Sequence, residues 1–406
     1  MDQTSTSIRR FIPATLGMPL IGSALGIDGG ALFQIFASEN LRLGATAIGI
    51  GFGLGVLSLP MQIWAARTPL QRARRNLQIF FVLAAVQVIV LAALVARRNP
   101  GGLAVVALVI TVAAEISLSV LYATAWQPLL SHALASVDRQ KINARVRAFG
   151  GALLAALVVV FAALGRTGRV CFLAGVAVVA LGCAIGLRRV TAPQPEAAEA
   201  VANAGSTRQR LPHDVRRIYV VFCVLNLGSW PLVLVYVHQV LSPAASIGLV
   251  AVAQLGGALL AAFAWRPTAS DVVTRARAAA VALVVAGFAV AALGTPVRHG
   301  AATAVMLATV FVGAGATALV RIALLELAHR TVDPTQTVRA FTFMDVIAST
   351  SQQVGLFFGG VLVTISASHS TWFVDPYRIY LAVFAVATIV AISRLPADAA
   401  RTPPVG

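Results

Sequence analysis

LQIFFVLAAVQVIVLAALVA, residues 77–96, runs for twenty residues without an ionisable side chain. Arg72, Arg74 and Arg75 precede it, and Arg97 and Arg98 follow it. About 20 apolar residues of helix cross the hydrocarbon layer of a bilayer. A helix also satisfies its own backbone hydrogen bonds where no water is available. Comparable stretches recur at 11–36, 44–64, 102–130, 143–165, 170–188, 218–241, 245–265, 278–295, 301–328, 339–365 and 377–393. With 77–96 they predict twelve membrane-spanning helices. Strands of alternating polarity, which a membrane barrel needs, are not found in the sequence.

Composition agrees. Of 406 residues, 59% are hydrophobic and 11% charged, whereas a soluble domain carries about 25% charged residues. A soluble enzyme, a disordered chain and a disulfide-rich secreted domain are excluded. The net charge of +17 would point to nucleic acid in a soluble protein. Here the basic residues lie in the short joints between spans, so the charge reads as topology and nucleic acid is not a partner. With the N-terminus inside, cytoplasmic joints hold 23 basic residues, outer joints hold 7 (Arg42, Arg97, Arg98, Arg166, Arg169, Arg298 and Arg378), and Arg321 alone falls within a span. Cytoplasmic joints carry the excess of Lys and Arg, so both termini are predicted to be cytoplasmic. All basic residues but Lys141 are Arg, a bias that fits GC-rich bacterial coding and hence the inner membrane. The run from Phe11 to Phe36 is longer than a signal-peptide core and reads as a retained first span. Cys171, Cys183 and Cys223 lie in apolar stretches without metal-ligand spacing. No metal or cofactor is expected, and a monomer is.

Between spans six and seven, Thr191 to Arg217 holds Pro193, Pro195, Glu196, Glu199 and a Gly-Ser-Thr run, the composition of a flexible linker. It divides the chain into a first bundle at 1–190, a cytoplasmic linker at 191–217 and a second bundle at 218–406. Val146-Arg147-Ala148-Phe149 opens span five, and Val338-Arg339-Ala340-Phe341 opens span eleven. Ile48-Gly49 in span two is echoed by Ile247-Gly248 in span eight. Two six-helix halves in one orientation form a parallel repeat about an axis along the membrane normal.

On these features the chain resembles the major facilitator superfamily of secondary transporters. The likeness covers nearly the whole length, including the basic loop between spans two and three. The family's loop motif is Gly-x-x-x-Asp-Arg-x-Gly-Arg-Arg. Arg67, Arg74 and Arg75 match its basic positions, while Gln62 stands in place of the Gly and Ala66 in place of the Asp. That departure weakens the cytoplasmic latch the family builds from this loop. The Gly-Pro of the drug antiporters is replaced by Gly150-Gly151 in span five. The resemblance implies an all-α membrane protein of twelve helices in two pseudo-symmetric six-helix bundles. It also implies that spans one, four, seven and ten line a central cavity, and that spans two and eleven form part of one gate. Gly51 and Gly55, with Gly355 and Gly359, suit close packing on those two helices.

Ionisable residues within a span cost about 2.5–3.5 kcal/mol each and usually face a cavity or a partner. In span four Thr111, Glu115, Ser119, Tyr122 and Trp126 share one helical face, read as cavity lining or else as a hydrogen-bonded seam between helices. Asp28 lies in Gly26-Ile27-Asp28-Gly29-Gly30, where Gly22, Gly26 and Gly30 form a packing stripe and also weaken the helix. Burial raises a carboxylate's pKa, so Asp28 or Glu115 is a candidate proton carrier. Arg321 is expected level with Asp345 on the next helix, as a structural bridge or as a substrate ligand. Gly313, Thr317 and Arg321 share a face, and Asn226 and Trp230 precede Pro231, which favours a kink. Glu326 with Arg330 is an i,i+4 surface pair. His238 and His369 are expected near the outer surface. Because the resemblance implies that spans one, four, seven and ten line the cavity, it implies a substrate site of Asp28, Glu115, Tyr122, Trp126, Asn226, Trp230 and Arg321.

The function expected is a proton-coupled secondary transporter of a small organic solute, with efflux favoured over uptake. Trp and Tyr beside acids suit a neutral or cationic amphipathic solute. The alternatives are a membrane-embedded enzyme on a lipid-linked substrate, or a transporter-like sensor. Against the enzyme, the sequence holds no Asp-x-x-x-Asp, His-Glu-x-x-His or Gly-x-Ser-x-Gly.

Overall fold

The computed structural model describes residues 17–26, 30–54, 56, 60, 72–97, 101–106, 152–189, 213–228, 230–241, 247–264, 272–292, 300–331, 337–368 and 375–395. Among the described residues every regular element is helical. In chain order these are α1 (17–25), α2 (Ala31–Glu39), α3 (Ala45–Gly53), α4 (Ala73–Ala96), α5 (Ala152–Ala163) and α6 (Arg166–Gly186). There follow α7 (His213–Leu227), α8 (Val233–Tyr236), α9 (Ile247–Ala264), α10 (Val272–Ala292), α11 (Gly300–Thr331), α12 (Thr337–Ser368) and α13 (Pro376–Ser393).

Eight stretches among the described residues are long and apolar enough to cross a membrane. They coincide with the expected spans three, six, seven, eight, nine, ten, eleven and twelve. Their outer faces carry apolar stripes at helical spacing. On α6 these are Val178, Leu181 and Ile185, and on α10 Val281, Val285 and Phe288, all exposed. Val178 is 68% exposed, a burden in water and the expected face toward lipid.

By contacts the chain falls into two units. Unit 1 takes Met1–Leu43, Leu54–Gln209 and Pro334–Val346; unit 2 takes Gly44–Gly53, Arg210–Asp333 and Ile347–Gly406. The main division falls within the expected linker at 191–217. The short piece holding α3 groups with unit 2, and the start of α12 with unit 1.

In unit 1, α4 packs along α6, and Gln78 Nε2 donates to the Ala184 carbonyl at 3.5 Å. The head of α6 carries Arg169, which was assigned to an outer joint on sequence but is only 6% exposed. Its Nη2 bridges to Glu39 Oε2 at 2.6 Å, and its Nη1 donates to Asn40 Oδ1 at 2.7 Å. Nε and Nη2 also reach the Phe161 and Ala162 carbonyls, and the guanidinium lies over the Phe161 ring. One cation thus ties the start of α6 to the end of α2.

Unit 2 holds a counterpart. Arg378, also expected in an outer joint, stands in the first turn of α13 with no exposed surface. Asp375 caps that helix, accepting from the Arg378 backbone N–H at 3.0 Å and from its Nε at 2.9 Å. Tyr236 donates to Asp375 and accepts from Arg378 Nε, and Ser366 Oγ donates to Asp375 at 3.0 Å. The Tyr236 and Tyr377 rings pack 4.7 Å apart. The end of the seventh span, the end of α12 and the head of α13 meet at this knot. Arg321 is therefore not the only basic residue within a span.

Elsewhere in unit 2, α11 packs against α9 and α10, and α13 against α10 and α7. The small α3 lies against α12. A Cβ on Gly49 would stand 2.7 Å from the Gly360 Cα, and Gly53 abuts Phe357. Thr46 and Thr364 are hydrogen-bonded through their hydroxyls. Gly49, Gly53 and Gly360 make this close approach, which the sequence reading did not single out for packing. Of the four glycines it did, Gly355 packs closely on Leu227, Gly51 and Gly359 are buried, and Gly55 lies outside the described residues.

Removing one member of a buried ion pair typically costs about 3–5 kcal/mol, because the other charge is stranded. Arg378→Gln and Asp375→Asn should therefore each lower the thermal unfolding midpoint in detergent sharply. The double variant, which strands neither charge, should recover part of the loss.

Candidate functional site

Span seven is broken where Pro231 predicts. In an α-helix the Leu227 carbonyl would accept from the N–H of residue 231, but proline has none. α7 ends at Leu227, Gly228 N–H turns back to Leu225 at 3.3 Å, and a 3-10 turn at Trp230–Leu232 follows. The chain continues through α8 into a π-helical turn at Val237–Leu241. The Tyr380 hydroxyl, from α13, donates to the released Leu227 carbonyl. Gln254 Nε2, from α9, reaches the Trp230 carbonyl at 3.4 Å.

Two of the expected site residues, Arg321 and Asn226, are bonded beside this break in unit 2, and a third, Trp230, packs on α11 about two turns before Arg321. Arg321 Nη2 donates to Asn226 Oδ1 at 2.9 Å and to Gln352 Oε1 at 3.5 Å. Asn226 in turn donates to the Phe222 carbonyl at 2.7 Å, which fixes which way its amide oxygen points. Trp230 is 5% exposed and lies on Gly313, where a Cβ would come within 2.5 Å of the ring. Thr317 Oγ1 donates to the Gly313 carbonyl at 2.9 Å. Gln352, which sequence reasoning passed over, is buried at 6% exposure; its only signal was a polar Gln352-Gln353 pair inside an apolar span.

Arg321 reaches Gln352, and the expected pairing of Arg321 with Asp345 falls on a side chain outside the described residues. Gln352 follows Asp345 by seven residues, about 10.5 Å along a helix.

The first span is also broken, in unit 1. α1 stops at residue 25 and Gly26 takes φ +84°, a conformation that suits glycine. α2 starts after Gly30, which has no side chain to cap it; Ser23 Oγ instead accepts from Leu32 N–H at 3.1 Å. Asp28 belongs to this interval but lies outside the described residues, as do Glu115, Tyr122, Trp126 and Arg67. Arg74 and Arg75 are on the first turn of α4, half-buried and exposed respectively. Among the described residues no group of three His, Cys, Asp or Glu side chains could hold a metal ion.

No protein-family model matches the chain, and no curated sequence is significantly similar to it. Solved structures are. The chain is similar to the nucleoside transporter NupG, with a TM-score of 0.59 at 14% identity over 95% of this chain and 98% of that one. A bacterial homologue of the iron transporter ferroportin gives a TM-score of 0.66 at 12% identity, over 97% and 99%. The human organic anion transporter MFSD10 gives 0.57 at 13% identity, over 98% and 100%. At such identities the likeness is one of fold, and it runs end to end. The chain has the fold of a major facilitator superfamily transporter.

Proposed function

We propose that the chain is a secondary active transporter that carries a small organic solute by alternating access. The observation that carries this reading is the Arg321–Asn226 bond beside the break in span seven, where Trp230 also packs on α11. Interrupted helices at membrane depth are where transporters build their binding sites. The break in span one, next to Asp28, supports the same reading. The neighbours in fold are transporters of a nucleoside, of iron and of organic anions by their descriptions.

In this reading the moving bodies are the halves 1–190 and 218–406, joined by the linker at 191–217. Asp28, Glu115, Tyr122 and Trp126 supply the remainder of the substrate site. Gly51, Gly55, Gly355 and Gly359 belong to the gate helices, with Arg67, Arg74, Arg75 and Asp345 near the cytoplasmic ends. The coupling ion is the proton, loaded on Asp28 or Glu115, and export is favoured over uptake. The protein works as a monomer in the bacterial inner membrane with both termini in the cytoplasm.

A solute panel in reconstituted vesicles, with and without an imposed pH gradient, tests this. The expected result is pH-driven accumulation of at least one solute. Glu115→Gln and Asp28→Asn should abolish the pH-driven component while solute counterflow persists. Normal pH-driven transport by both variants would remove the proton role, and a lack of both flux and counterflow across the panel would remove transport itself.

A further inference from the structure

Resting on that transport reading, we propose that Arg321 receives an anionic group of the solute, so that the substrate class is organic anions. Among the buried and half-buried arginines of the spans, Arg277 near the start of α10 bonds the neutral Ser393 and Leu395 carbonyls, whereas Arg169 and Arg378 each hold an acid. Arg169 faces Glu39, and Arg378 faces Asp375. Each is at most 6% exposed and is bonded by two or more of its guanidinium nitrogens. Their charges are neutralised on the spot.

Arg321 differs from Arg169 and Arg378, and unlike Arg277 it lies well inside its helix rather than near an end. It is half-buried, and its partners are the neutral amides of Asn226 and Gln352. Both bonds leave from Nη2. Among the described residues Nε and Nη1 make no bond, and no carboxylate pairs with the group. Amide dipoles orient a guanidinium without cancelling its charge. A cation held so within a membrane span keeps a strong preference for an anion, and the planar guanidinium suits carboxylate, sulfonate or phosphate oxygens.

The aromatic side of the site argues the same way. A cation would need an open ring face. Trp230 is buried, with its ring against Gly313, and Tyr236 and Tyr377 have no exposed surface. Tyr122 and Trp126, on which the expectation of a neutral or cationic solute also rests, lie outside the described residues. In unit 2 Trp230 packs the site, and half-buried Tyr380 spends its hydroxyl on the Leu227 carbonyl.

The test uses three probes of one shape and fixed charge: benzenesulfonate, benzamide and phenyltrimethylammonium. Binding is read as a shift in the unfolding midpoint of the purified full chain, and transport as counterflow in vesicles. Benzenesulfonate alone should stabilise and exchange. Arg321→Gln should lower its apparent affinity about tenfold or more, and Arg321→Lys, which keeps the charge, should retain part of it. Size-exclusion profiles and the ligand-free midpoint establish that both variants fold. If Arg321→Gln does not fold, the wild-type charge ranking and Arg321→Lys decide. Preference for benzamide or phenyltrimethylammonium, or sulfonate binding indifferent to Arg321→Gln, overturns the anion assignment and leaves transport standing. If no probe binds or exchanges while a neutral or cationic solute of the wider panel does, the assignment is likewise overturned. Absence of any flux for any solute overturns the transport reading, and this assignment with it.

Discussion

A buried arginine in the first turn of a unit's last helix is the interaction on which each unit's arrangement depends. Lipid offers no water to a stranded charge, so Arg169 and Arg378 must find every partner within the protein. Arg169 takes them from the end of span one, through Glu39 and Asn40. Arg378 takes them from Asp375 and from Tyr236 near the end of span seven. By position in the twelve-span order, six is joined to one and twelve to seven, so the two halves of the sequence repeat the same device. A buried pair is weak evidence for stability, since apolar side chains of like volume often do as well. Its sharper effect here is on register: a helix that slid or rotated by one residue would carry its arginine away from the acid.

The broken helices follow a second constraint, that a backbone carbonyl released at depth must be met. Pro231 releases the Leu227 carbonyl and Tyr380 meets it. At the other break the exposed donor is Leu32 N–H, and Ser23 meets it. An unmet buried group costs about 1–3 kcal/mol, so the side chain from a neighbour is what makes each break tolerable. Asn226, on the last turn of α7, and Trp230, just beyond the break, both address α11, at Arg321 and at Gly313.

Much of this was legible in the sequence, and the failures have physical causes. Eight long apolar runs read correctly as helices because hydropathy is a local property. The break at Pro231 and the weak point at 26–30 were legible for the same reason. Asn226, Trp230 and Arg321 were singled out by charge, aromaticity and spacing, and Asn226 and Arg321 are hydrogen-bonded to each other. Arg169 and Arg378 were misplaced because a topology count treats any arginine near the end of a run as solvated. Asp375-Pro376 before an apolar run was the missed sign, since an acidic cap followed by proline marks a helix start. The close approach at Gly49 and Gly360 and the bond from Arg321 to Gln352 were not read from the sequence. Both depend on how helices rotate against each other, which a single chain's pattern does not encode.

The same contrast separates scaffold from site. Evolution can bury a cation at modest cost by closing an acid on it, as at Arg169 and Arg378, and such a group is then spent on structure. Holding a cation with two neutral amides instead is the less stable choice, because the charge is oriented but not cancelled. An isolated Arg in a span costs about 2.5–3.5 kcal/mol on insertion scales, and Asn226 with Gln352 offsets only part of that. Such an arrangement is self-defeating as scaffold, where a methionine would pack as well and cost nothing in charge. It makes sense where a visiting group completes the neutralisation. The amides keep the guanidinium aimed while the site is empty, and the solute's own charge supplies the missing partner when it is full.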